Sequence, residues 1–295
     1  MLEYKNIEAL AKVIQEKGFE RAARVLFVTQ SAVSQRIRQL EDSCGQILLS
    51  RTTPPTPTAA GKALLKHYQQ VRLLEEGLSS ELSVAATVTT LAIGINADSL
   101  AHWFIAAIGP ILQHMNILLD LRVDDQEETH RYLKEGDVVG CVTTEANAIQ
   151  GCRVEKLGTL NYRLLATSDF IDLWFPRGFS LKTAQRAPAV IFNRRDRLHD
   201  QFFETFLGIP PESLVAHYIP SPEQFFATIA AGYCYGMVPD WQGKQLLETG
   251  QLQELIPGAV LPIDLYWHCW NLDAQPLREF SDQLLAGARK QLLNN

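Results

Sequence analysis

Apolar positions in the first sixty residues recur at helical spacing. In NIEALAKVIQEK (6–17), Ile7, Leu10, Ala11 and Ile14 fall on one face, and Gly18 ends the helix. ERAARVL (20–26) gives a second short amphipathic helix. Thr29 is a good N-cap for a third, from Gln30 to about Leu40, with Val33, Ile37 and Leu40 inward. After Gly45 the pattern changes: Ile47, Leu48 and Leu49 read as a short strand, and TTPPTPT (52–58) as a tight loop and return. Three short helices and a hairpin in about 60 residues predict a winged helix-turn-helix over residues 1–58.

Thr58 then caps a long helix. Leu64, Val71, Leu74, Leu78 and Leu82 fall near a heptad seam, widened by Leu65 and Tyr68. Such a helix has little core of its own to lie on, so a second copy of the chain is its expected cover; packing on its own body is the alternative. Residues 79–90, small and almost uncharged, read as a hinge, so 59–88 is expected to be a dimerising linker helix and hinge.

From residue 89 onward, strand and helix patterns alternate. Strands are predicted at 90–96, 117–125 and 138–144, with helices between them, which implies a parallel sheet covered on both faces. A polar, strand-rich stretch (151–167) follows. The alternation then restarts with strands at 187–193, 215–220, 234–239 and 264–270, and a last helix spans 275–293. The expected fold is α/β overall: a two-lobed, periplasmic-binding-protein-like domain, 89–295. One lobe takes about 89–163 plus 268–295, the other 164–267. Ligands in such sheets sit beyond the carboxyl ends of the strands, here between the lobes.

Composition sharpens this picture at two points. The 295 residues are 46% hydrophobic and 20% charged, with a net charge of −6, which excludes disordered, collagen-like and rod-like chains. The charge is uneven. Residues 1–62 carry nine Lys/Arg against six Asp/Glu, whereas the remainder carries 18 against 27. A basic head on an acidic body suits a DNA-touching end on a carrier. The five cysteines form no C-x-x-C pair, and Cys141 and Cys234 fall in predicted strands, so neither a disulfide framework nor a metal site is expected. No apolar run is long enough for a membrane span, and the first residues lack a signal-peptide core; the cytoplasm is the expected compartment. The seven histidines show no metalloprotease spacing, and no nucleophile elbow or phosphate-binding loop occurs, so no enzyme is expected.

Residues 19–65 carry a denser signal. Ala22, Ala23, Leu26, Val28, Thr29, Gln30, Ala32, Val33, Ser34, Ile37, Leu40 and Glu41 stand at the spacing of the DNA-binding signature of LysR-type transcriptional regulators. So do Gly45, Leu48, Leu49, Arg51, Thr58 and Gly61. The chain resembles that family over its whole length. GFERAA, TQSAVSQRI, RTTPPTPT, NADSLA (96–101), the VVG run (138–140) and LYWH (265–268) are similar to its arginine- and lysine-responsive branch, known as ArgP, IciA or LysG. Ser31 departs from the proline most members have there, and that branch shares the serine.

The resemblance implies a recognition helix in the major groove. Gln30, Ser31, Ser34 and Gln35 would face base edges, Arg36 and Arg38 phosphates, Thr29 a phosphate through the backbone it caps, and Arg51 and Thr58 the backbone at the wing. It implies a homodimer or homotetramer on a double-stranded operator, contact with RNA polymerase if the protein activates, and target genes such as one for basic amino-acid export. No cofactor is implied beyond a small effector, L-lysine or L-arginine. Its carboxylate would meet Ser99 and the helix start in NADS, and its cations Asp98, Asp124, Asp125 or Glu145. Asn96, Thr143, Thr144 and Ser221 stand at neighbouring strand ends and helix starts. Each of these also has a plainer role as a cap or surface carboxylate. Two other readings stay open: a regulator of this family taking an aromatic or other carboxylate, and a two-lobed enzyme or solute-binding protein.

Overall fold

The computed structural model describes residues 2–50, 52–81, 88–114, 117–124 and 126–292. Arg51, Asp125 and Leu82 lie outside the described residues, as does half of the expected hinge, residues 82–87.

The head holds α1 (Tyr4–Gln15), α2 (Phe19–Val25), α3 (Gln30–Cys44) and a two-stranded wing, β1 (Leu49–Ser50) paired antiparallel with β2 (Thr56–Pro57). Ile7, Leu10, Val13, Ala22, Val33, Ile37, Leu40 and Leu48 form its core. The inner face of α1 runs through Val13, with Ala11 and Ile14 only half-buried, because α3 packs against one side of the predicted stripe. Ile47 stays exposed, and the strand begins two residues later than its apolar run suggests.

The T-x-x-G step has a physical cause. The Thr58 hydroxyl donates to the Ile47 carbonyl at 2.7 Å and accepts the Gly61 N–H at 3.1 Å, capping α4 (Ala59–Glu81). A β-carbon on Gly61 would lie 2.1 Å from the Leu48 carbonyl oxygen, so only glycine lets the helix start this close to the wing. Glu41 accepts the backbone N–H of Leu48 at 2.9 Å and that of Leu49 at 3.3 Å, tying the end of α3 to the wing.

Helix α4 divides its apolar residues between two bodies. Leu64, Leu65 and Tyr68 pack on the head, and Leu73 enters the core of the C-terminal body. Leu74 and Leu78 remain 40% and 54% exposed, so part of the expected seam turns inward and part stays open.

The body is built on a sheet ordered β4 (Ile117–Val123), β3 (Thr89–Ile95), β5 (Gly140–Thr143), β11 (Leu261–Trp270), β6 (Cys152–Thr167) and β10 (Leu252–Glu254). β3 runs parallel to both β4 and β5, as the βαβαβ pattern predicts. Its crossovers are α5 (Ala97–Ser99), which continues through a π-helical turn (Leu100–Phe104) into α6 (Ile105–His114), and α7 (Gln126–Glu135). The polar stretch after residue 151 is one 16-residue strand. β6 pairs with β11 along its first part, then with β10 and with β9 (Gly236–Pro239) from Tyr162 onward. It therefore carries the chain from one lobe to the other, and β11 brings it back.

The second lobe adds α8 (Ser168–Trp174), α9 (Leu181–Ala184), β7 (Ala189–Ile191), α10 (Leu198–Leu207), β8 (Ala216–Tyr218), α11 (Pro222–Ala230) and α12 (Asp240–Glu248). α13 (Gln275–Leu292) closes back on α6 and β6. Trp267 is fully buried and donates its indole N–H to Ser281 Oγ at 3.0 Å. Its ring lies where a β-carbon on Gly140 would be, 2.2 Å away, which explains the glycine of the VVG run. No described helix is long and apolar enough to cross a membrane.

Candidate nucleic-acid interface and ligand cleft

On α3, Thr29 caps the helix by accepting the Ala32 N–H at 3.2 Å, so the first-turn amides point outward. Ser31, Gln35 and Arg38 are exposed on the face opposite Val33, Ile37 and Leu40. Gln30 opens the helix, exposed, while Ser34 and Arg36 flank that face half-buried. Arg24 pairs with Glu20, whereas among the described residues Arg36 and Arg38 have no ion-pair partner. Thr58 is placed differently: its hydroxyl proton is committed to Ile47 within the wing. The helix thus offers amide, hydroxyl and guanidinium groups on one solvent-facing side.

The carboxyl ends of β3, β4 and β5 deliver Asn96, Ala97 and Asp98, then Asp124, then Thr144 and Glu145, to a cleft of about 520 Å³ between the lobes. Thr143 also lines it. The far wall is the loop after β7, with Phe192, Asn193, Arg195, Asp196 and Arg197, and the start of α10. Tyr162, Asp264 and Tyr266 come from the crossing strands.

Asp98 accepts the Tyr162 hydroxyl at 2.6 Å. Burial raises the Asp98 pKa above the ordinary carboxylate value; the Tyr162 hydrogen bond opposes this and the Asp196 charge adds to it. Asp124 accepts the Tyr132 hydroxyl at 2.8 Å. Glu145 accepts the backbone N–H of Asn147 at 2.9 Å and its side-chain amide at 2.8 Å, which lowers its pKa. Asn96 is 9% exposed and its Oδ1 accepts no hydrogen bond, so a buried acceptor lines the cleft without a donor. A guest with several N–H donors and a carboxylate would complement such a wall. Among the described residues no group could hold a metal ion.

Two expected residues stand elsewhere. Ser99 is fully buried as the third residue of α5, is not among the cleft-lining residues, and its hydroxyl has no partner. Asn96, not Asp98 or Ser99, holds the N-cap position. Ser221 caps α11, accepting the Gln224 N–H at 3.4 Å and donating to Glu223 at 3.1 Å. It lines an adjoining hollow of about 480 Å³ that shares Asp124 and Asn193 with the main cleft. Sequence reasoning missed Tyr162, His130, Asp196 and, above all, Arg195. The run NRRDR directly after a strand was the available signal for Arg195.

Residues 4–62 match the family described as bacterial regulatory helix-turn-helix protein, lysR family, and residues 85–289 match the LysR substrate binding domain. The chain is 41% identical to the HTH-type transcriptional regulator ArgP of Salmonella arizonae over 290 residues, 98% of each. The crystal structure of ArgP from Mycobacterium tuberculosis superposes with a TM-score of 0.88 at 36% identity, covering 98% of both chains. The full-length LysG of Corynebacterium glutamicum, solved with bound effector Arg, gives 0.80 at 30% identity over 99% of both. With two family matches along the chain and full-length relatives above 30% identity, the chain belongs to the LysR family of DNA-binding transcriptional regulators.

Proposed function

We propose that this regulator senses a free basic amino acid, L-arginine or L-lysine, in the cleft between its lobes and adjusts its hold on operator DNA accordingly. The observation that carries the reading is the convergence of Asn96, Asp98, Asp124 and Glu145 from one lobe with Arg195 from the other. Carboxylates and the Asn96 carbonyl suit the ammonium and side-chain cation, and Arg195 suits the carboxylate. An unpaired buried charge is costly, so a ligand with these charges fits only where each finds a partner. The arginine bound to LysG supports the same chemistry. In this reading Thr143 and Thr144 contact the amino-acid end, and Asp125 joins Asp124 in meeting its cations.

The head acts on DNA through Gln30, Ser31, Ser34 and Gln35 at bases and Arg36, Arg38, Arg51 and the Thr29-capped helix start at phosphates. The open face of α4 pairs two chains, so that two heads reach an inverted repeat. The protein works in the cytoplasm, and basic amino-acid export is the expected target. The test has two arms. The protein should retard DNA from upstream of its own gene in excess random DNA, and its melting temperature should rise with arginine or lysine concentration. A melting temperature moved only by a small aromatic carboxylate would replace the effector while leaving the DNA arm standing.

A further inference from the structure

Helix α7 stands between the cleft and the head, and its charged side chains touch both. Near its start, Glu128 Oε1 pairs with Nη1 of Arg195, from the far wall of the cleft, at 3.2 Å. Its other oxygen, Oε2, is held by Arg131 at 2.5 Å. Arg131 also reaches Glu135 one turn on, at the longer distance of 3.3 Å. Glu135 in turn takes Lys62 Nζ at 2.6 Å. Lys62 lies on the first turn of α4, beside Gly61, where helix and wing meet backbone to backbone. Lys66, one turn along, donates to the Lys134 carbonyl at 3.1 Å.

We propose that the file Arg195–Glu128–Arg131–Glu135–Lys62 passes occupancy of the cleft to the DNA-binding head. The proposal rests on the effector reading of the cleft given above. Arg131 is shared by two carboxylates, so the file has two arrangements. In the structure Glu128 has Arg195 as well as Arg131. An amino-acid carboxylate in the cleft competes for Arg195. Glu128 then draws Arg131 fully to itself, and the long contact to Glu135 gives way. Glu135 keeps Lys62, and the hold of α7 on the start of α4 tightens. The head, rigidly joined to that start, changes its orientation on the body and its fit to DNA. Each pair is partly exposed and weak alone. Coupling here comes from the sharing of partners, not from the strength of any one pair.

The test is a double-mutant cycle on the full-length protein, read as affinity for a labelled fragment of its own upstream DNA without ligand. Arg195→Gln should shift that affinity about three- to five-fold, in the direction in which arginine shifts the wild type. In a Glu135→Gln background the same change should have no further effect. Arg131→Gln, outside both cleft and head, should abolish the coupling in the same way. Calorimetry should find arginine bound by Glu135→Gln as by the wild type, with no accompanying change in DNA affinity. Additive shifts in the cycle, or an undiminished arginine response in Glu135→Gln, would overturn the relay. A wild type that binds no arginine would end the effector reading, while the ligand-free cycle still decides the relay.

Discussion

Asp98 lies at the mouth of α5 with Tyr162 on one of its oxygens and Asp196 across the cleft. Its folded-state pKa is raised, so the native chain holds this proton more tightly than the unfolded one. Its contribution to stability is therefore greatest at low pH and falls as pH rises through that pKa. A bound cation favours the ionised form and expels the proton. Affinity for arginine should thus rise with pH as Asp98 loses its proton and level off once Asp98 is ionised in the free protein. Asp98→Asn keeps an acceptor for Tyr162 but loses the charge. Calorimetry across pH should show arginine binding weakened by about 10- to 100-fold, the loss of one charge-assisted hydrogen bond of ~1.5–3 kcal/mol, with a flatter pH profile. At this scale the sequence was only partly legible. NADS identified the right turn, but which of its polar residues caps the helix depends on the helix phase, and that phase turned Ser99 into the core. Arg195 was hidden among three charged neighbours, because only the start of α10 decides which of them lines the cleft.

Helices and strands were more legible than individual side chains, since their periodicities are repeated over many residues. The recognition helix was readable because its cap, inner face and Gly45 terminus agree with one another. Gln30→Ala should cost ~1–3 kcal/mol on operator DNA and little on random DNA, measured by anisotropy on both. Equal losses would make Gln30 a phosphate contact. Helix α4 was half-legible. Its heptad-like spacing does not say which neighbour each leucine meets, and the head and the body each claim part of the stripe. The exposed remainder, Leu74 and Leu78, is the face assigned to a second copy. Changing both to Asp should leave the body folded, give a monomer by light scattering, and weaken operator binding about 100-fold through loss of simultaneous engagement by two heads. A double mutant that remains a dimer with unchanged operator affinity would remove α4 from the interface.

Across the whole molecule, the uneven charge, the basic head and the acidic two-lobed body suit one design: a DNA reader steered by phosphate charge and a cleft proposed to take a cation. The alternation of strands and helices revealed both lobes. The two halves read as joined by crossing strands; that the crossing is one 16-residue strand, β6, with β11 as its return was not legible, because a polar, half-buried strand lacks a distinctive pattern. The central claim is that the cleft takes a basic amino acid. The most direct measurement is calorimetric titration of the full-length protein with L-arginine, L-lysine and L-glutamate, alongside Asp98→Asn. The account predicts saturable binding of arginine or lysine at one site per chain, none of glutamate, and a large loss of affinity in the variant. Absence of heat from both basic amino acids at millimolar concentration, or binding left intact by Asp98→Asn, would contradict it.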